Sequence, residues 1–327
     1  MKAICIESVE GKPELFLRDV PRPEPKEDEV LIRVKCAGVN FADLYRAAKH
    51  LGNAGDTPHA IAGLEMTGEV VALGRGVRGM AVGTRVMGFA TGAYAEYCCV
   101  HDRHLLTVPD ALSWAQAAST AGNFVTAHDA LVTNGEMKPG EAVLVQAASS
   151  GVGIAAVQIA RLLGAGLVMG TSTTPAKLER LSQLGLQLGI DSVRGDFAEA
   201  VLEATRGAGA DVIIENIGGD TLPGDIRCAA VKCRIINVGR LGKWIGEVNL
   251  DEHSRKRIRL IGVTFRTRTA EEIAEVIQRA GAVLLPALQA GTIAPVIDRT
   301  YPLDAAAEAQ EFMRAGRHFG KLVLEVA

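Results

Sequence analysis

The segment QAASSGVGIAAVQ, Gln146 to Gln158, has the residue types and the position of an anion-binding turn. A short apolar run, 142–145, precedes it, and small and apolar residues continue the segment for another turn of helix. A strand, a tight turn and a helix in this order aim backbone N–H groups and the positive end of the helix dipole at one place. Small side chains let a pyrophosphate approach that place closely. The segment therefore predicts a phosphate site.

The glycine spacing in this segment matches G-x-G-x-x-G only loosely. Ala148 and Ser150 stand in the first two glycine positions, and Gly151 and Gly153 follow. Small residues at a helix start also serve close helix–strand packing, so the motif alone is weak. The turn opens a region in which strands and helices alternate, and this context favours dinucleotide binding.

The residues after the next strand bear on which dinucleotide is bound. An NAD site usually has Asp or Glu about 20 residues beyond the glycines, against the ribose 2′-hydroxyl. The chain instead has hydroxyl residues, 171–174, followed by Lys177. Hydroxyl donors and a positive charge suit a 2′-phosphate, although Lys177 is also interpretable as an ordinary exposed helix lysine. The pattern favours NADPH.

Two kinds of region position these residues. The first third of the chain is β-rich. It has a strand at 29–36 in which apolar and other residues alternate, and closely spaced glycines then separate short strands, as in a compact barrel. From about Ser113 strands and helices alternate, which predicts a doubly wound parallel sheet. The expected elements are strands at 142–147, 167–170, 211–215, 234–238 and 259–264, and helices at 151–163 and from Thr174 to Leu184, with Thr174 as N-cap.

The last part of the chain is expected to return to the first domain. Two helices and a closing strand at 321–326 follow residue 269. The predicted division is a β-rich domain, 1–120 completed by 268–327, and a dinucleotide-binding domain, 121–267.

Composition narrows the class of protein. The 327 residues are 48% hydrophobic and 22% charged, with a net charge of −3, so neither nucleic acid nor an anionic membrane is an expected partner. The basic cluster at 255–259 is interpreted as a solvated face. The N-terminus has no apolar signal region, and the six cysteines form no CxxC pair, so we expect reduced thiols and a cytoplasmic protein.

The chain resembles the medium-chain dehydrogenase/reductase superfamily, specifically its zinc-free NADPH:quinone oxidoreductase branch. The resemblance covers essentially the whole chain and implies a GroES-like catalytic domain interrupted by a Rossmann domain, the cofactor in the cleft between them, and a homodimer paired through the last Rossmann strand. The segments that carry it are CAGVNFADLYR (36–46), GLEMTGEVVALG (63–74), GAYAEYCCV (92–100), KPGEAVLVQAASSGVGIAAVQIAR (138–161), DVIIENIGG (211–219) and FGKLVLE (319–325).

The chain departs from the zinc-dependent members at the metal site. Those members have Cys where this chain has Asn40, and His where it has Leu64. Neither an amide nor an isobutyl group replaces a thiolate or an imidazole on zinc. We therefore expect no metal, and we interpret Glu65, which belongs to the same pattern, as a source of structural hydrogen bonds.

The resemblance also implies a set of cofactor-binding residues. Asn40 and Thr126 would lie beside the nicotinamide. The pyrophosphate would contact Ser149, Ser150, Gly151, Val152 and Gly153; the 2′-phosphate would contact Ser172, Thr173 and Lys177; and the rest of the cofactor would be bordered by Asn216, Ile217, Val238, Gly239, Phe265, Phe319 and Lys321.

Two departures affect this assignment. Many relatives hold the 2′-phosphate with a Tyr where this chain has Ser192, and Arg194 is the expected compensating group. A Tyr-Pro-rich loop of many relatives is replaced by HLGNAGDTPHA (50–60), which predicts an unusual substrate pocket.

Without a metal, hydride transfer needs an electrophile that is already activated. Tyr45 is the candidate donor to the acceptor oxygen, and packing in the cleft wall is the alternative role for it. Three functions stay open: reduction of quinones, reduction of enals, enones or enoyl thioesters, and NADPH binding without turnover. The set Asn40, Tyr45 and Thr126 argues mildly against the third.

Overall fold

The computed structural model describes residues 1–44 and 60–326. The chain divides into two compact units, one formed by Met1–Gly122 with Ala270–Ala327 and the other by Asn123–Thr269. We call them the β-rich unit and the Rossmann unit. The sequence predicts boundaries after residues 120 and 267, and the C-terminal segment belongs to the first unit.

The β-rich unit contains two sheets. Its strands, numbered along the chain, are β1 (Lys2–Val9), β2 (Lys12–Asp19), β3 (Glu29–Val39), β4 (Ala60–Ile61), β5 (Glu65–Leu73), β6 (Arg85–Phe89), β7 (Tyr97–His101), β8 (Leu105–Thr107), β15 (Ile297–Pro302) and β16 (Lys321–Glu325). One sheet has the order β2-β1-β4, and the other β15-β16-β3-β5-β6-β8 with β7 also on β3. The helices are α1 (Trp114–Ala118), α8 (Ala270–Gln289) and α9 (Ala306–Arg314).

Strand β3 organises the larger sheet. Its alternating residues Val30, Ile32 and Val34 are fully buried, as the apolar pattern predicts. The strand continues beyond the predicted end at residue 36 because β16 pairs with it from Cys36 to Val39. This pairing brings the start of β16 to the end of β3.

The Rossmann unit contains one fully parallel sheet. Its strands are β9 (Ala142–Val145), β10 (Leu167–Ser172), β11 (Leu188–Asp191), β12 (Ala210–Glu215), β13 (Ala229–Asn237) and β14 (Arg259–Gly262). Their order is β11-β10-β9-β12-β13-β14. The order reverses between β9 and β12, and in such sheets ligands bind at the carboxyl ends of the strands near that point. This confirms the predicted doubly wound sheet.

The helices of the Rossmann unit connect these strands. They are α2 (Thr126–His128, between the π-helical turns Ala121–Val125 and Asp129–Asn134), α3 (Gly151–Leu162), α4 (Pro175–Ser182), α5 (Phe197–Ala204), α6 (Leu222–Cys228) and α7 (Leu250–Lys256). No helix in the described ranges, 1–44 and 60–326, is long and apolar enough to cross a membrane.

Some predicted elements need correction. Strand β9 ends two residues early because Ala147 adopts a left-handed conformation, with φ of 49°. Thr174 occupies the N-cap position of α4 but makes no side-chain capping bond, and Pro175 starts the helix. The helix ends at Ser182 instead of Leu184.

The basic cluster at 255–259 is only partly solvated. The Lys256 ammonium is largely buried and donates to the carbonyls of Ile226 and Arg227, at 2.9 and 2.6 Å. These carbonyls lie at the C-terminal end of α6, where a cation is favoured by the helix dipole. The predicted interpretation as a solvated face is therefore wrong for Lys256.

Candidate functional site

The turn between β9 and α3 is where the sequence predicts an anion site in the Rossmann unit. Ser150 is the N-cap of α3, and its Oγ accepts the Gly153 N–H at 3.1 Å. The N–H groups of Gly151 and Val152 lie in the first turn, where helix geometry gives them no partner within the helix. Ser149 lies beside them with its Oγ 3.4 Å from the Oγ of Ser172. The turn thus collects N–H and O–H donors at the positive end of a helix.

Two glycines of this turn serve close packing. A Cβ at Gly153 would lie 2.5 Å from the Ala147 carbonyl oxygen, and one at Gly151 would lie 2.5 Å from the amide of Asn123. Side chains at either position would therefore displace the turn or that amide. Asn123 is buried and was missed from the sequence, because nothing in its local pattern distinguishes it.

A buried network of hydrogen bonds fixes the start of the turn between β9 and α3. The Gln146 side chain accepts the Thr171 hydroxyl at 2.6 Å and donates to Asp225 at 2.7 Å. Asn216 donates to the Gln146 carbonyl at 2.9 Å, and Thr171 Oγ1 accepts the Ala147 N–H at 3.1 Å. Residues from β10, β12 and α6 thus fix the backbone after β9. Gln146 opens the sequence motif, but its role as the centre of this network could not be read from spacing.

The end of β10 provides the residues expected at a 2′-phosphate. Ser172 is buried and its Oγ accepts the Thr174 N–H at 3.3 Å, while Thr173 is exposed. Lys177 is half-buried in the first turn of α4. The structure therefore brings Ser149, Ser172 and the start of α4 to one edge of the sheet.

Arg194 lies close to this edge and is paired with a carboxylate. Its side chain is 82% exposed, and its Nε lies 3.6 Å from Oδ2 of Asp191. Asp191 ends β11 directly opposite Ser172. An acidic group at this place would repel a phosphate, and Arg194 is its ion-pair partner.

The ends of β12 and β13 are joined by hydrogen bonds to Glu215. Its buried carboxylate accepts the N–H groups of Ile217 and Gly218 and the Thr221 hydroxyl, while its carbonyl accepts those of Val238 and Gly239. Burial, with the nearby Glu215 carboxyl, raises the pKa of Asp225 well above its usual value. The Asp225 carboxyl therefore holds its proton more tightly than an exposed aspartic acid does.

The other predicted residues of the Rossmann unit lie in two places. Thr126 begins α2 between two π-helical turns, which are frequent at functional sites. Phe265 follows β14, and the Arg268 guanidinium lies 4.8 Å from its ring centroid. Arg268 is in turn fixed by Asp129 at 2.6 Å.

In the β-rich unit, the ends of three neighbouring strands bring Asn40, Glu65 and Lys321 together. The Lys321 ammonium lies 2.7 Å from Glu65 Oε2 and donates to Asn40 Oδ1 at 2.7 Å. The Asn40 amide nitrogen donates to Glu65 Oε2 at 3.2 Å and to the Gly38 carbonyl at 3.1 Å. Glu65 Oε1 accepts the Gly122 N–H at 2.5 Å. We call Asn40, Glu65 and Lys321 the cation cluster.

A second buried pair supports Asn40. One oxygen of Asp43 accepts the Asn40 N–H and the Tyr94 hydroxyl, both at 2.8 Å. Burial raises the pKa of Asp43 to about 6, although these hydrogen bonds act in the opposite direction. Burial likewise raises the pKa of Tyr94 well above 10.0.

Tyr45, the 50–60 segment and Phe319 complete the set of predicted site features. Tyr45 and nearly all of the 50–60 segment lie outside the described residues. Phe319 is buried in the β-rich unit, and its N–H donates to Asp298 at 3.0 Å.

The donor set at the cation cluster does not fit zinc. Both Glu65 oxygens accept hydrogen bonds, the Asn40 oxygen faces an ammonium, and Leu64 has no ligating atom. Across 1–44 and 60–326, no group of three or more His, Cys, Asp or Glu side chains is arranged to hold a metal ion.

Two family profiles match the chain. The family described as "Zinc-binding dehydrogenase" matches residues 151–281, and "Alcohol dehydrogenase GroES-like domain" matches residues 26–110. Quinone oxidoreductase of Sus scrofa is 34% identical over 96% of this chain and 94% of that protein. A phenolphthiocerol/phthiocerol polyketide synthase protein of Mycobacterium tuberculosis is 31% identical over 95% of this chain, which spans only 14% of that protein.

Solved structures with this fold cover the whole chain. Escherichia coli quinone oxidoreductase complexed with NADPH aligns with a TM-score of 0.88 at 25% identity over 100% of both chains. A mycobacterial protein complexed with NADPH aligns with a TM-score of 0.89 at 28% identity, and an NAD-dependent alcohol dehydrogenase with 0.89 at 29%, again over 100% of both chains.

Proposed function

Because this chain belongs to the medium-chain dehydrogenase/reductase superfamily, in its quinone oxidoreductase branch, we propose that it is a zinc-independent NADPH oxidoreductase that reduces quinones. The observation that carries the proposal is the edge of the Rossmann sheet at the ends of β9 and β10. There the Ser150-capped helix start lies beside Ser172, and β10 ends in hydroxyl residues instead of a carboxylate.

The residues of this edge fit NADPH. The N–H groups of Gly151 and Val152 would hold the pyrophosphate, and Ser172, Thr173 and Lys177 would hold the 2′-phosphate. Arg194 supports the same choice by neutralising Asp191. The bound cofactor supplies a hydride at its nicotinamide ring, and the protein must orient the acceptor and stabilise the negative charge that forms on it.

On the family resemblance, we propose that polar groups of the β-rich unit serve that task. The cation cluster offers a buried ammonium and an amide of defined orientation, and Asp43 fixes the backbone at Asn40. A quinone needs no further activation, because its carbonyls already accept a hydride readily. Tyr45 is the proposed donor to the acceptor oxygen, on the basis of the family resemblance.

A second candidate function is the reduction of enals, enones or enoyl thioesters. The similarity of 95% of the chain to part of a polyketide synthase favours it. The same hydride transfer applies, with the β-carbon of a conjugated carbonyl as the acceptor.

The test is NADPH oxidation by the purified protein with ortho-quinones, para-quinones, 2-enals and enoyl thioesters. We expect turnover with quinones to exceed turnover with the other acceptors. Faster turnover with enoyl thioesters would support the second function. NADPH binding with no turnover on any acceptor would contradict both and leave cofactor binding alone as the function.

We propose in addition that the protein is a homodimer paired through β14. Strand β14 forms hydrogen bonds to β13 along one side, and its residue Leu260 is 46% exposed. It is therefore an edge strand with backbone groups available for pairing with a second chain. Light scattering should give the mass of a dimer at micromolar concentration. Leu260→Lys should shift it to the monomer, and Val231→Lys, at a 58% exposed position of β13, is the control. A wild-type monomer contradicts the proposal.

We also propose a cytoplasmic location. All six cysteines are free thiols, and five of them are buried, which is the usual state in a reducing compartment. Fractionation of the native source is the measurement that checks this.

A further inference from the structure

The cation cluster of the β-rich unit contains a buried ion pair at the place where zinc-dependent relatives bind their metal. The side chains of Lys321 and Glu65 are 3% and 0% exposed. Removing two charges from water costs several kcal/mol per ion before their attraction offsets it. A pair of apolar residues would fill the same space at lower cost. The charges therefore point to a purpose other than stability.

The absence of a side chain at two glycines makes room for this ion pair. A Cβ at Gly38 would lie 2.5 Å from Glu65 Oε2, and a Cβ at Gly122 would lie 2.6 Å from the same oxygen. The two glycines approach the carboxylate from β3 and from the turn after α1. A side chain at either position would press against the Glu65 carboxylate, and at Gly38 also against the Ala118 carbonyl oxygen, 2.4 Å from the added Cβ.

The cluster determines how the Asn40 amide is oriented. The amide oxygen faces the Lys321 ammonium, and the amide nitrogen faces the Glu65 carboxylate. A rotation by 180° would put N–H groups against the ammonium and an oxygen against the carboxylate, so both contacts would become repulsive. Asn40 is thus held in one of its two orientations by opposite charges.

We propose that Lys321 is the resident cation of this centre, neutralising Glu65, positioning the Asn40 amide and excluding a metal ion. The positive charge that a metal would bring is already present as the ammonium. Glu65 Oε2, which a metal would need, is committed to Lys321 and Asn40. The positioning part of the proposal rests on the proposed function, whereas metal exclusion does not.

The first experiment tests positioning by comparing Lys321→Met with the double variant Lys321→Met/Glu65→Gln. The single variant leaves a buried carboxylate without its partner and should lower both the unfolding temperature and kcat. The double variant removes both charges and should recover the unfolding temperature. Because the Asn40 amide then loses both charged partners that select its orientation, the kcat of the double variant should stay lower than wild type by roughly 10- to 100-fold, with the NADPH KM changed much less.

Two controls accompany this comparison. Lys321→Arg keeps the charge and should recover part of kcat. Lys2→Met removes an exposed ion pair with Asp19 and should change neither quantity. Wild-type kcat in the double variant would overturn the positioning role. No turnover by the wild type would instead contradict the proposed function.

The second experiment tests metal exclusion without reference to activity. Asn40→Cys/Leu64→His restores the residue types of the zinc-dependent pattern, and equilibrium dialysis measures its zinc affinity with and without Lys321→Ala. We expect removal of the ammonium to tighten zinc binding by at least about tenfold, since a buried like charge is removed. Equal zinc affinities in the two chains would overturn the proposal.

Discussion

At the residue scale, the proposed choice of NADPH rests on a few charges at the ends of β10 and β11. Lys177 lies in the first turn of α4, and Arg194 is paired with Asp191. Lys177 could be selected from the sequence because it follows a strand that ends in hydroxyl residues, and Arg194 because it lies close to Ser192, which replaces the tyrosine of many relatives. Asp191 as an opposing charge could not be inferred, since only the parallel pairing of β11 with β10 places it opposite Ser172.

Lys177→Ala tests this assignment. Loss of a charge-assisted contact worth about 1.5–3 kcal/mol should raise the NADPH KM by roughly tenfold or more. The NADH KM and kcat with either cofactor should change little, because NADH lacks the phosphate. Steady-state kinetics with both cofactors is the measurement.

The control for this variant is Lys138→Ala, an exposed lysine before the amino end of β9. Adding Arg194→Ala should deepen the loss, since Asp191 would then face the phosphate without its counter-ion. Equal effects of Lys177→Ala on NADPH and NADH would mean that this lysine does not recognise the phosphate.

Ser150→Asp tests the pyrophosphate assignment. Aspartate is as good an N-cap as serine, so the bond to the Gly153 N–H and the stability of α3 should be kept. The added negative charge at the helix start should weaken NADPH binding by at least about tenfold, or 1.4 kcal/mol. Fluorescence titration with NADPH measures the affinity.

Ser254→Asp is the control, because Ser254 is exposed on α7. Ser119 is unsuitable for this purpose, since it is buried after α1 and a carboxylate there would perturb the β-rich unit. Unchanged NADPH affinity in the Ser150 variant would show that the turn does not bind the pyrophosphate.

At the element scale, periodic patterns predicted the elements that carry the cofactor site. β9, α3, β10 and β12 follow their apolar runs closely. β11 and α5 were not predicted, because they are short, with four and eight residues. The cation cluster could not be predicted as a unit, since it depends on the register of β16 and β5 against β3.

The helical turn at 41–44 makes the stability of the β-rich unit depend on pH. Burial raises the pKa of Asp43 to about 6 from a usual value of 3.8. A carboxyl with a raised pKa in the folded state stabilises that state below its unfolded pKa, and this contribution is lost as the pH rises through the folded pKa. Wild type should therefore lose stability between about pH 4 and pH 7.

Asp43→Asn should remove this loss, since an amide does not ionise. Urea unfolding from pH 4 to pH 7 should show a difference between the two proteins of on the order of 1–3 kcal/mol. Asp19→Asn is the control, because its hydrogen bond to Lys2 lowers the pKa of that exposed carboxyl and gives any effect the opposite sign. Parallel stability curves for wild type and Asp43→Asn would contradict the assignment.

At the scale of the whole molecule, the chain combines a Rossmann unit, most of which matches the family described as zinc-binding dehydrogenase, with a β-rich unit in which the Lys321 ammonium pairs with Glu65. Sequence reasoning predicted the absence of zinc from Asn40 and Leu64 alone. Lys321 is predicted near the cofactor from the family resemblance. Its ion pair with Glu65 could not be predicted, because it joins residues 256 positions apart and leaves no local pattern.

The central claim is hydride transfer from NADPH without a metal. The most direct test measures the rate of NADPH oxidation with a quinone in the presence of a strong chelator. Elemental analysis determines the zinc content of the same sample. The account predicts the full rate in chelator and no stoichiometric zinc. About one tightly held zinc per chain, lost together with the activity, would contradict it.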